Sequence, residues 1–366
     1  MHIERLEISD VRNLGAVRLQ DLDKINVFYG DNGSGKTSLL ESVHVLGLGR
    51  SFRTRLFKSV IQNEKEESVV FCSAYETHSE RRFPVGVRRS RQATPEIRVQ
   101  GRNVASLAEL AMLFPLQLIN SDAFMLLEGS PRVRRQFLDW GVFHVEHSFH
   151  AAWQSAKRCL KHRNSLLRHG KMAAQDLLLW TGELTAAAKR VDQHRQAYIA
   201  EFIRVFEPLV IELTDIAGLR IEYFRGWPAG SCLKETLDNS LDRDKQQGFT
   251  SFGPHKADLR ITKDGRLVSE CLSRGQEKLL ICALKLAQAA VFEGLTDRKC
   301  IFLIDDLPAE LDARYRRVLC HHLEELGCQV FITCIDRMDL AEQWRSPERI
   351  KWFHVEHGEI TQVDTA

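Results

Sequence analysis

The segment Gly30–Thr37, Gly-Asp-Asn-Gly-Ser-Gly-Lys-Thr, constrains the fold of this chain more than any other part of its sequence. It follows an apolar segment, 24–29, that predicts a strand, and it precedes a segment that predicts a helix over about 36–47. This order matches the phosphate-loop pattern G-x-x-x-x-G-K-[ST] in its required strand–loop–helix context. Glycines let backbone N–H groups surround an anion, and the helix N-terminus adds partial positive charge. The sequence therefore predicts a nucleoside triphosphate site.

Individual residues of this phosphate loop have distinct expected roles. Lys36 is long enough to reach the terminal phosphates, and the Thr37 hydroxyl is placed to ligate Mg²⁺. The other expected nucleotide contacts come from the loop and the start of the helix: Gly30, Asp31, Asn32, Gly33, Ser34, Gly35 and Ser38. The alternative is a glycine-rich turn without a ligand, which the correctly placed Lys36 and Thr37 disfavour.

Length and composition indicate a globular protein of about two domains, because the chain has 366 residues, of which 44% are hydrophobic and 27% charged. The N-terminus is not a secretory signal, and no uninterrupted apolar run approaches the roughly 18–20 residues that span a bilayer. Nine cysteines without a C-x-x-C pair indicate free buried thiols in a reducing compartment. We therefore expect a cytoplasmic protein without a membrane partner.

The formal net charge is only +2, so any surface for nucleic acid must be local. Three basic clusters poor in acidic residues are present. They consist of Arg50, Arg53, Arg55 and Lys58; of Arg81, Arg82, Arg88, Arg89 and Arg91; and of Lys157, Arg158, Lys161, Arg163, Arg168 and Lys171. Each cluster alone is typical of a solvated face, but together they favour a surface for the DNA backbone. The DNA-contact candidates are Arg50, Arg53, Arg55, Lys58, Lys157, Arg158 and Lys161.

Periodicity predicts the α/β fold class. Segments 2–8, 67–76, 81–89 and 96–104 read as strands of an antiparallel, β-rich flank beside the sheet that carries the phosphate loop. Helical patterns over about 147–168 and 175–214 predict a short antiparallel helical hairpin, and further helices are expected after Ser130-Pro131 and over 233–247. We expect one lobe formed by 1–118 and 296–366, and an α-helical second lobe formed by 119–295.

The segment Ile301–Asp306 is an apolar strand that ends in two carboxylates, as the Walker B partner of a phosphate loop does. Asp305 is expected to hold Mg²⁺, and Asp306 occupies the place of a general base that orients the attacking water. Many ATPases of this class have glutamate at this second position. Because aspartate reaches less far, we expect slow hydrolysis.

A second phosphate-binding device is predicted where Leu272-Ser273-Arg274-Gly275-Gln276 opens a helix. One γ-phosphate does not need two such devices from one chain. Ser273 of one subunit is therefore expected to cap the ATP held by Lys36 of another, which places two ATP molecules in a two-fold interface. Glu310 and Asp312 are expected to lie across the same interface.

Together these four motifs resemble those of the ABC-type ATPases, and within that class the RecF family is most similar. Two further family-like segments are Arg132–Asp139 and Gly253–Lys256, so the resemblance covers nearly the whole chain. It implies an ABC-type ATPase head, ATP and Mg²⁺ as cofactors, an ATP-dependent homodimer, and Arg12 near the nucleotide. In two places the chain departs from the wider class, because Asn120-Ser121-Asp122 stands where a glutamine is common and Thr333 where a switch histidine is common.

The resemblance also implies a role in recombinational gap repair. Proteins of this family bind single- and double-stranded DNA at gaps, cooperate with RecO and RecR to load RecA, and support replication restart and the SOS response. Two alternatives use the same nucleotide motifs: the ATPase subunit of a membrane transporter, and a chromosome clamp with long coiled-coil arms. The predicted hairpin, roughly 30 Å long, is too short for such an arm.

Replacement of Ser273 by arginine tests the shared site. The substitution places a bulky side chain in the Ser273 segment that is expected to meet the other subunit's ATP, but it leaves the phosphate loop intact. We expect Ser273→Arg to abolish nucleotide-dependent dimers, measured as mass in solution, and to leave nucleotide affinity nearly unchanged. Dimers that persist in this variant would rule out the shared-site arrangement.

Overall fold

The computed structural model describes residues 1–76, 80–92, 94–104, 106–169 and 174–363. The chain divides into two compact units. The first unit, here called the nucleotide unit, comprises Met1–Ala123 and Lys278–Ala366, and the second, here called the helical unit, comprises Phe124–Glu277.

The described strands are β1 (His2–Val11), β2 (Leu14–Leu19), β3 (Ile25–Tyr29), β4 (Glu67–Glu76), β5 (Arg81–Ser90), β6 (Glu96–Val99), β7 (Arg102–Asn103), β8 (Leu116–Ile119), β9 (Leu219–Phe224), β10 (Asp258–Lys263), β11 (Arg266–Leu267), β12 (Ile301–Ile304), β13 (Gln329–Cys334), β14 (Ile350–Glu356) and β15 (Glu359–Val363). The described α-helices are α1 (Lys36–Leu48), α2 (Leu107–Leu113), α3 (Met125–Glu128), α4 (Pro131–Val145), α5 (Phe149–His169), α6 (Ala174–Leu213), α7 (Leu233–Asn239), α8 (Leu241–Gln247), α9 (Val268–Cys271), α10 (Arg274–Thr296), α11 (Leu307–Glu310), α12 (Ala313–Leu326) and α13 (Met338–Ala341). Short 3₁₀ helices lie at Phe57–Ser59, Ser121–Phe124, Pro254–Lys256 and Pro347–Arg349.

A mixed six-stranded sheet with the order β15-β14-β3-β13-β12-β8 positions the candidate site in the nucleotide unit. Its pairs are parallel except for the β14–β15 hairpin. Every residue of β12 and β13 is buried, as in parallel strands that are covered on both faces. Because β3, β13 and β12 are adjacent and parallel, their carboxyl ends meet at one edge of the sheet.

An antiparallel sheet with the order β2-β1-β4-β5-β6-β7 forms the predicted β-rich flank. Within the segment 96–104 the sequence predicts a hairpin turn at Gln100-Gly101, and the chain reverses between β6 and β7 at these two residues. Helix α1 contacts strands of both sheets in the nucleotide unit. It is consequently buried on nearly all sides, and its buried residues include the polar Lys36, Glu41 and His44.

The helical unit contains the predicted antiparallel hairpin, formed by α5 and α6, and a small antiparallel sheet with the order β11-β10-β9. The sequence predicts a tight connection between these helices at 168–171, of which 170 and 171 lie outside the described residues. One predicted helix, 233–247, is wrong: α7 ends at Asn239, Ser240 has a non-helical ψ of 1°, and α8 follows. The sequence also predicts that the Ser130 hydroxyl caps α4. This is wrong, because the Ser130 side chain makes no cap hydrogen bond and its carbonyl accepts from the Val133 N–H instead.

Among the described residues, one helix, α10, is long and apolar enough to cross a membrane by length and composition alone. About two thirds of its most apolar window, 67%, is buried inside the protein. Core helices of soluble proteins pass the same test, so this helix is weak evidence for a membrane span. The predicted burial of the cysteines also has exceptions, because Cys232 is exposed and Cys271 is partly exposed.

The assignment of Arg163 to the third basic cluster is wrong, because this residue is not on the surface. Its side chain is buried and donates hydrogen bonds to Asp244 at 2.8 Å, to Thr250 at 2.7 Å and to Thr181 at 3.2 Å. The sequence analysis counted it with exposed cations because it follows Lys161 closely. Residues two positions apart on a helix point in directions about 200° apart, so Lys161 faces solvent while Arg163 faces the core. Arg163 therefore stabilises the helical unit and is absent from its solvent-exposed surface.

We expect Arg163→Ala to reduce the free energy of unfolding by about 3–5 kcal/mol, because it leaves the Asp244 carboxylate buried without its cation. The exposed Arg158 on the same helix is the matched control, and Arg158→Ala should change stability by less than about 0.5 kcal/mol. Urea denaturation followed by circular dichroism measures both. Similar losses in the two variants would contradict the structural role assigned to Arg163.

Candidate functional site

The phosphate loop Gly30–Thr37 joins the end of β3 to the start of α1, as the sequence predicts. Gly30 and Gly35 adopt φ angles of 147° and 126°, which residues with a Cβ rarely adopt. A Cβ at Gly30 would also lie 2.2 Å from the Val355 carbonyl oxygen, and one at Gly35 would lie 2.9 Å from Leu14. The loop conformation therefore requires glycine at both positions.

Lys36 is buried at the first position of α1. Its Nζ donates hydrogen bonds to the Gly30 carbonyl at 2.6 Å and to the Asp31 carbonyl at 2.8 Å. These bonds hold the ammonium group against the loop, at the N-terminus of a helix, where anions are stabilised. The geometry fits a group that contacts phosphate oxygens.

Three adjacent strands bring the Walker B acids to the phosphate loop. Thr37 Oγ1 lies 3.0 and 3.1 Å from the two Asp305 carboxylate oxygens, although the two residues are far apart in sequence. Thr333, at the end of β13, donates to Asp305 at 2.9 Å and accepts from the Asp306 N–H at 2.7 Å. Asp306 adopts a left-handed φ of 53° and directly precedes α11. The expected pairing of Thr37 with Asp305 is therefore present in the geometry.

This donor set suits Mg²⁺ better than a softer metal. A hydroxyl and a carboxylate are hard oxygen donors, and Mg²⁺ usually takes one or two protein ligands together with phosphates and waters. Thr37 and Asp305 are the residues that would hold it. No group of three or more His, Cys, Asp or Glu suited to a metal ion occurs in the part of the chain that the structure describes.

A cavity of about 910 Å³ lies over the phosphate loop. Its lining combines the cations Lys36, Arg12 and Arg53 with the carboxylates Asp305 and Asp306. The volume is sufficient for a bound nucleotide. Arg53, which the sequence analysis assigned to a DNA-contact cluster, therefore also borders this cavity, here called the nucleotide cavity.

Arg12 is held in the wall of this cavity by three hydrogen bonds. Its Nε and Nη2 each donate to the Glu41 carboxylate at 2.9 Å, and its Nη1 donates to the Ser59 carbonyl at 2.6 Å. The Arg12 side chain is 22% exposed, whereas that of Glu41 is 0% exposed. The family resemblance suggested Arg12, but the sequence contained no sign of the carboxylate that orients it.

Asn13, Thr333 and Glu41 are site residues that the sequence analysis missed or left without a role. Asn13 donates to the Gly33 carbonyl at 3.2 Å and accepts from Ser38 at 2.9 Å, so it joins the β1–β2 turn to the loop. A polar residue in the tight turn between two strands is too common to identify such a contact. Thr333 could have been found as the only hydroxyl residue of β13, close to the carboxyl end of that strand.

In the helical unit, Ser273 and Gln276 form a capping box at the start of α10. The Ser273 N–H donates to the Gln276 side chain at 3.1 Å, and the Gln276 N–H donates to Ser273 Oγ at 3.4 Å. Ser273, Arg274 and Gly275 are exposed, and Arg274 pairs with Glu128. In the nucleotide unit, Asp312 caps α12 by accepting from the Tyr315 N–H at 3.2 Å, and the Glu310 side chain lies outside the described residues.

The basic clusters differ in their environments. The side chains of the second cluster are largely engaged within the protein, since Arg82 pairs with Glu4, Arg88 with Glu67, and Arg89 with the Gly49 carbonyl. The candidates in the other clusters are exposed: Arg50, Arg53, Arg55, Lys58, Lys157, Arg158 and Lys161. Lys171 lies outside the described residues.

Comparison with known proteins agrees with these observations. The family model described as "RecF/RecN/SMC N terminal domain" matches residues 2–361. The DNA replication and repair protein RecF of Stutzerimonas stutzeri (strain A1501) is 48% identical over 363 residues, which cover 99% of this chain and 98% of the relative. This chain belongs to the RecF family. The RecF protein of Pseudomonas aeruginosa (strain LESB58) is 47% identical over 365 residues, which cover 100% of this chain and 99% of the relative.

The fold of the RecF family is also found by structural comparison. A solved structure described as the recombination mediator protein RecF-ATP in the RecFOR pathway has a TM-score of 0.85 with this chain. The two chains are 23% identical, and the match covers 99% of each. The ABC-type ATPase head expected from the sequence is therefore confirmed.

His44, on α1, makes the nucleotide unit sensitive to acid. Burial lowers the pKa of its imidazole from 6.5 to about 4, although the hydrogen bond with the Arg50 carbonyl, 2.7 Å long, opposes this. The unfolded chain therefore binds a proton that the fold excludes, and stability is lost as the pH falls from 6.5 towards 4. Between pH 7 and pH 5 this costs about 2 kcal/mol. We expect His44→Gln to remove this part of the pH dependence, measured by denaturant unfolding at both pH values. Parallel pH profiles for the two proteins would contradict it.

Proposed function

We infer that this protein is an ATP-dependent DNA-binding protein of recombinational gap repair. Membership of the RecF family supports this role, and the pairing of Thr37 with Asp305 beside the phosphate loop is the observation that carries the nucleotide requirement. ATP and Mg²⁺ are the proposed cofactors. The relative whose structure is described as RecF-ATP supports the choice of ATP.

The residues of the nucleotide unit have separate proposed tasks. Lys36 and the loop N–H groups bind the phosphates, and Thr37 and Asp305 hold Mg²⁺, which neutralises phosphate charge. Asp306 orients a water molecule for attack on the γ-phosphate. The hydrogen bond from the Asp306 N–H to Thr333 fixes the backbone at that position. Aspartate is short, so hydrolysis is slow and acts as a release step rather than as rapid turnover.

We propose that ATP joins two copies of the chain. The segment of one copy that contains the exposed Ser273, Arg274 and Gly275 and the partly exposed Gln276 would cap the nucleotide bound by its twin, with Glu310 and Asp312 nearby. The capping box already fixes the Ser273 backbone, so little conformational entropy is lost when it meets a phosphate. Dimerisation would close basic residues on DNA, and hydrolysis would open them.

DNA is the proposed macromolecular ligand, in single- or double-stranded form. The exposed cations Lys157, Arg158 and Lys161 lie at spacings that place them on one face of α5, and the second group lies in the segment 50–58. RecO and RecR are the proposed protein partners, through which RecA would be loaded, in the cytoplasm. The matches to the RecF relatives cover 98–99% of those proteins, which disfavours long coiled-coil arms.

A transporter ATPase shares the phosphate loop and the Ser273 segment. Membership of the RecF family disfavours it, as does Thr333 at the position of the switch histidine. Copurification with an integral-membrane protein, combined with no DNA binding at any salt concentration, would favour the transporter instead.

The deciding experiment measures mass in solution with and without ATP and Mg²⁺, followed by DNA binding across a salt series. We expect a dimer only with nucleotide, and DNA affinity that falls steeply with salt because phosphate contacts release counterions. Lys36→Ala should lose both nucleotide binding and the dimer, because its ammonium group is the cation at the phosphate loop. Nucleotide-independent mass together with salt-insensitive DNA binding would contradict the proposal.

A further inference from the structure

Glu41 is a fully buried carboxylate on α1, five residues after Lys36. A charge in such a position is costly unless several donors compensate it. Arg12 supplies two hydrogen bonds, Ser51 Oγ supplies a third, and Arg53 Nη1 lies 3.7 Å from the carboxylate. We call Arg12, Glu41, Ser51 and Arg53 the Glu41 cluster.

The Glu41 cluster fixes both ends of the segment 51–59, here called the basic loop. At its start, Ser51 Oγ donates to Glu41 and accepts the backbone N–H groups of Arg53 at 2.9 Å and Thr54 at 3.0 Å. At its end, the Ser59 carbonyl accepts from Arg12 at 2.6 Å. The Glu41 cluster therefore ties down both ends of the basic loop, which carries the exposed Arg53, Arg55 and Lys58.

The same cluster borders the nucleotide cavity, because Arg12, Arg53 and Ser59 line it. A guanidinium has five N–H groups. Three of those of Arg12 have partners among the described residues, Glu41 and Ser59, and this leaves one N–H on each terminal nitrogen. With the plane of the guanidinium fixed by the two-point contact with Glu41, these N–H groups keep a set direction within the wall of a cavity that also contains Lys36.

We propose that Glu41 is a positioning residue for a polyphosphate ligand. It fixes Arg12 as a second phosphate-binding cation beside Lys36 and, through Ser51, fastens the basic loop to the helix that begins at the phosphate loop. The inference rests on the proposed binding of nucleotide in this cavity. It assigns Glu41 no contact with the ligand, since every effect passes through Arg12 or Ser51.

Glu41→Asp separates position from charge, because it keeps the carboxylate but shortens the side chain by one methylene. We expect its affinity for ATP to fall about tenfold in calorimetric titration, since Arg12 must then be ordered during binding. The affinity for inorganic tripolyphosphate, used as a second probe, should fall by the same factor, because Arg12 contacts the phosphates. Glu67→Asp is the matched control: Glu67 pairs with Arg88 away from the cavity, and its variant should bind both probes like the wild type.

A double-variant cycle tests whether Glu41 acts through Arg12. Arg12→Ala should weaken ATP binding about tenfold, and adding Glu41→Asp should weaken it little further. A purely structural role would lower thermal stability in both backgrounds but would make the effects on affinity multiply to about a hundredfold. Hydrogen exchange measures the loop directly, and the amides of Arg53 and Thr54 should exchange faster in Glu41→Asp than in Glu67→Asp.

Several outcomes would overturn the inference: unchanged ATP affinity in Glu41→Asp, weakened ATP binding with unchanged tripolyphosphate binding, multiplicative effects in the cycle, or unchanged exchange at Arg53 and Thr54. If the wild type bound neither probe, the proposed nucleotide site itself would fail as well. Normal wild-type binding combined with any of the first four results would overturn only the role of Glu41.

Discussion

The hydrogen bonds that join Thr37, Asp305 and Thr333 depend on the parallel pairing of β3, β13 and β12. Parallel strands deliver their carboxyl ends to one edge, so residues far apart in sequence meet without any local signal between them. Slippage of β12 by one residue against β13 would point Asp305 to the other face of the sheet. Complete burial of both strands specifies the register, since their apolar side chains fill the space on either face.

Helix α1 carries a second constraint, which is the burial of charged and polar groups between two sheets. Lys36 is compensated by two loop carbonyls, Glu41 by Arg12 and Ser51, and His44 by the Arg50 carbonyl. Each partner lies in a segment that would otherwise be a free surface loop. Because these buried groups need hydrogen-bond partners, they order the segments that border the cavity and supply those partners.

The strand and helix pattern was largely predictable from the sequence. The hairpin helices α5 and α6, the strands that flank the phosphate loop and the turn at Gln100 and Gly101 follow from periodicity and turn chemistry. Periodicity failed where two segments of similar composition are separated by one non-helical residue, as at Ser240. It also failed to separate exposed from buried cations, because Arg163 and Lys161 belong to one basic stretch and differ only in helical phase.

By itself, the sequence determined the phosphate loop, because glycine, lysine and threonine at fixed local spacing have few other physical uses. It also determined the acidic end of β12 and the helix that opens after Ser273, because these too are local patterns. Only the tertiary structure decided that Thr333 joins Asp305 to Asp306, that Arg12 is oriented by Glu41, and that Arg53 borders the nucleotide cavity. These contacts join segments that are distant in the chain, and their geometry depends on strand order and helix packing, which no local pattern encodes.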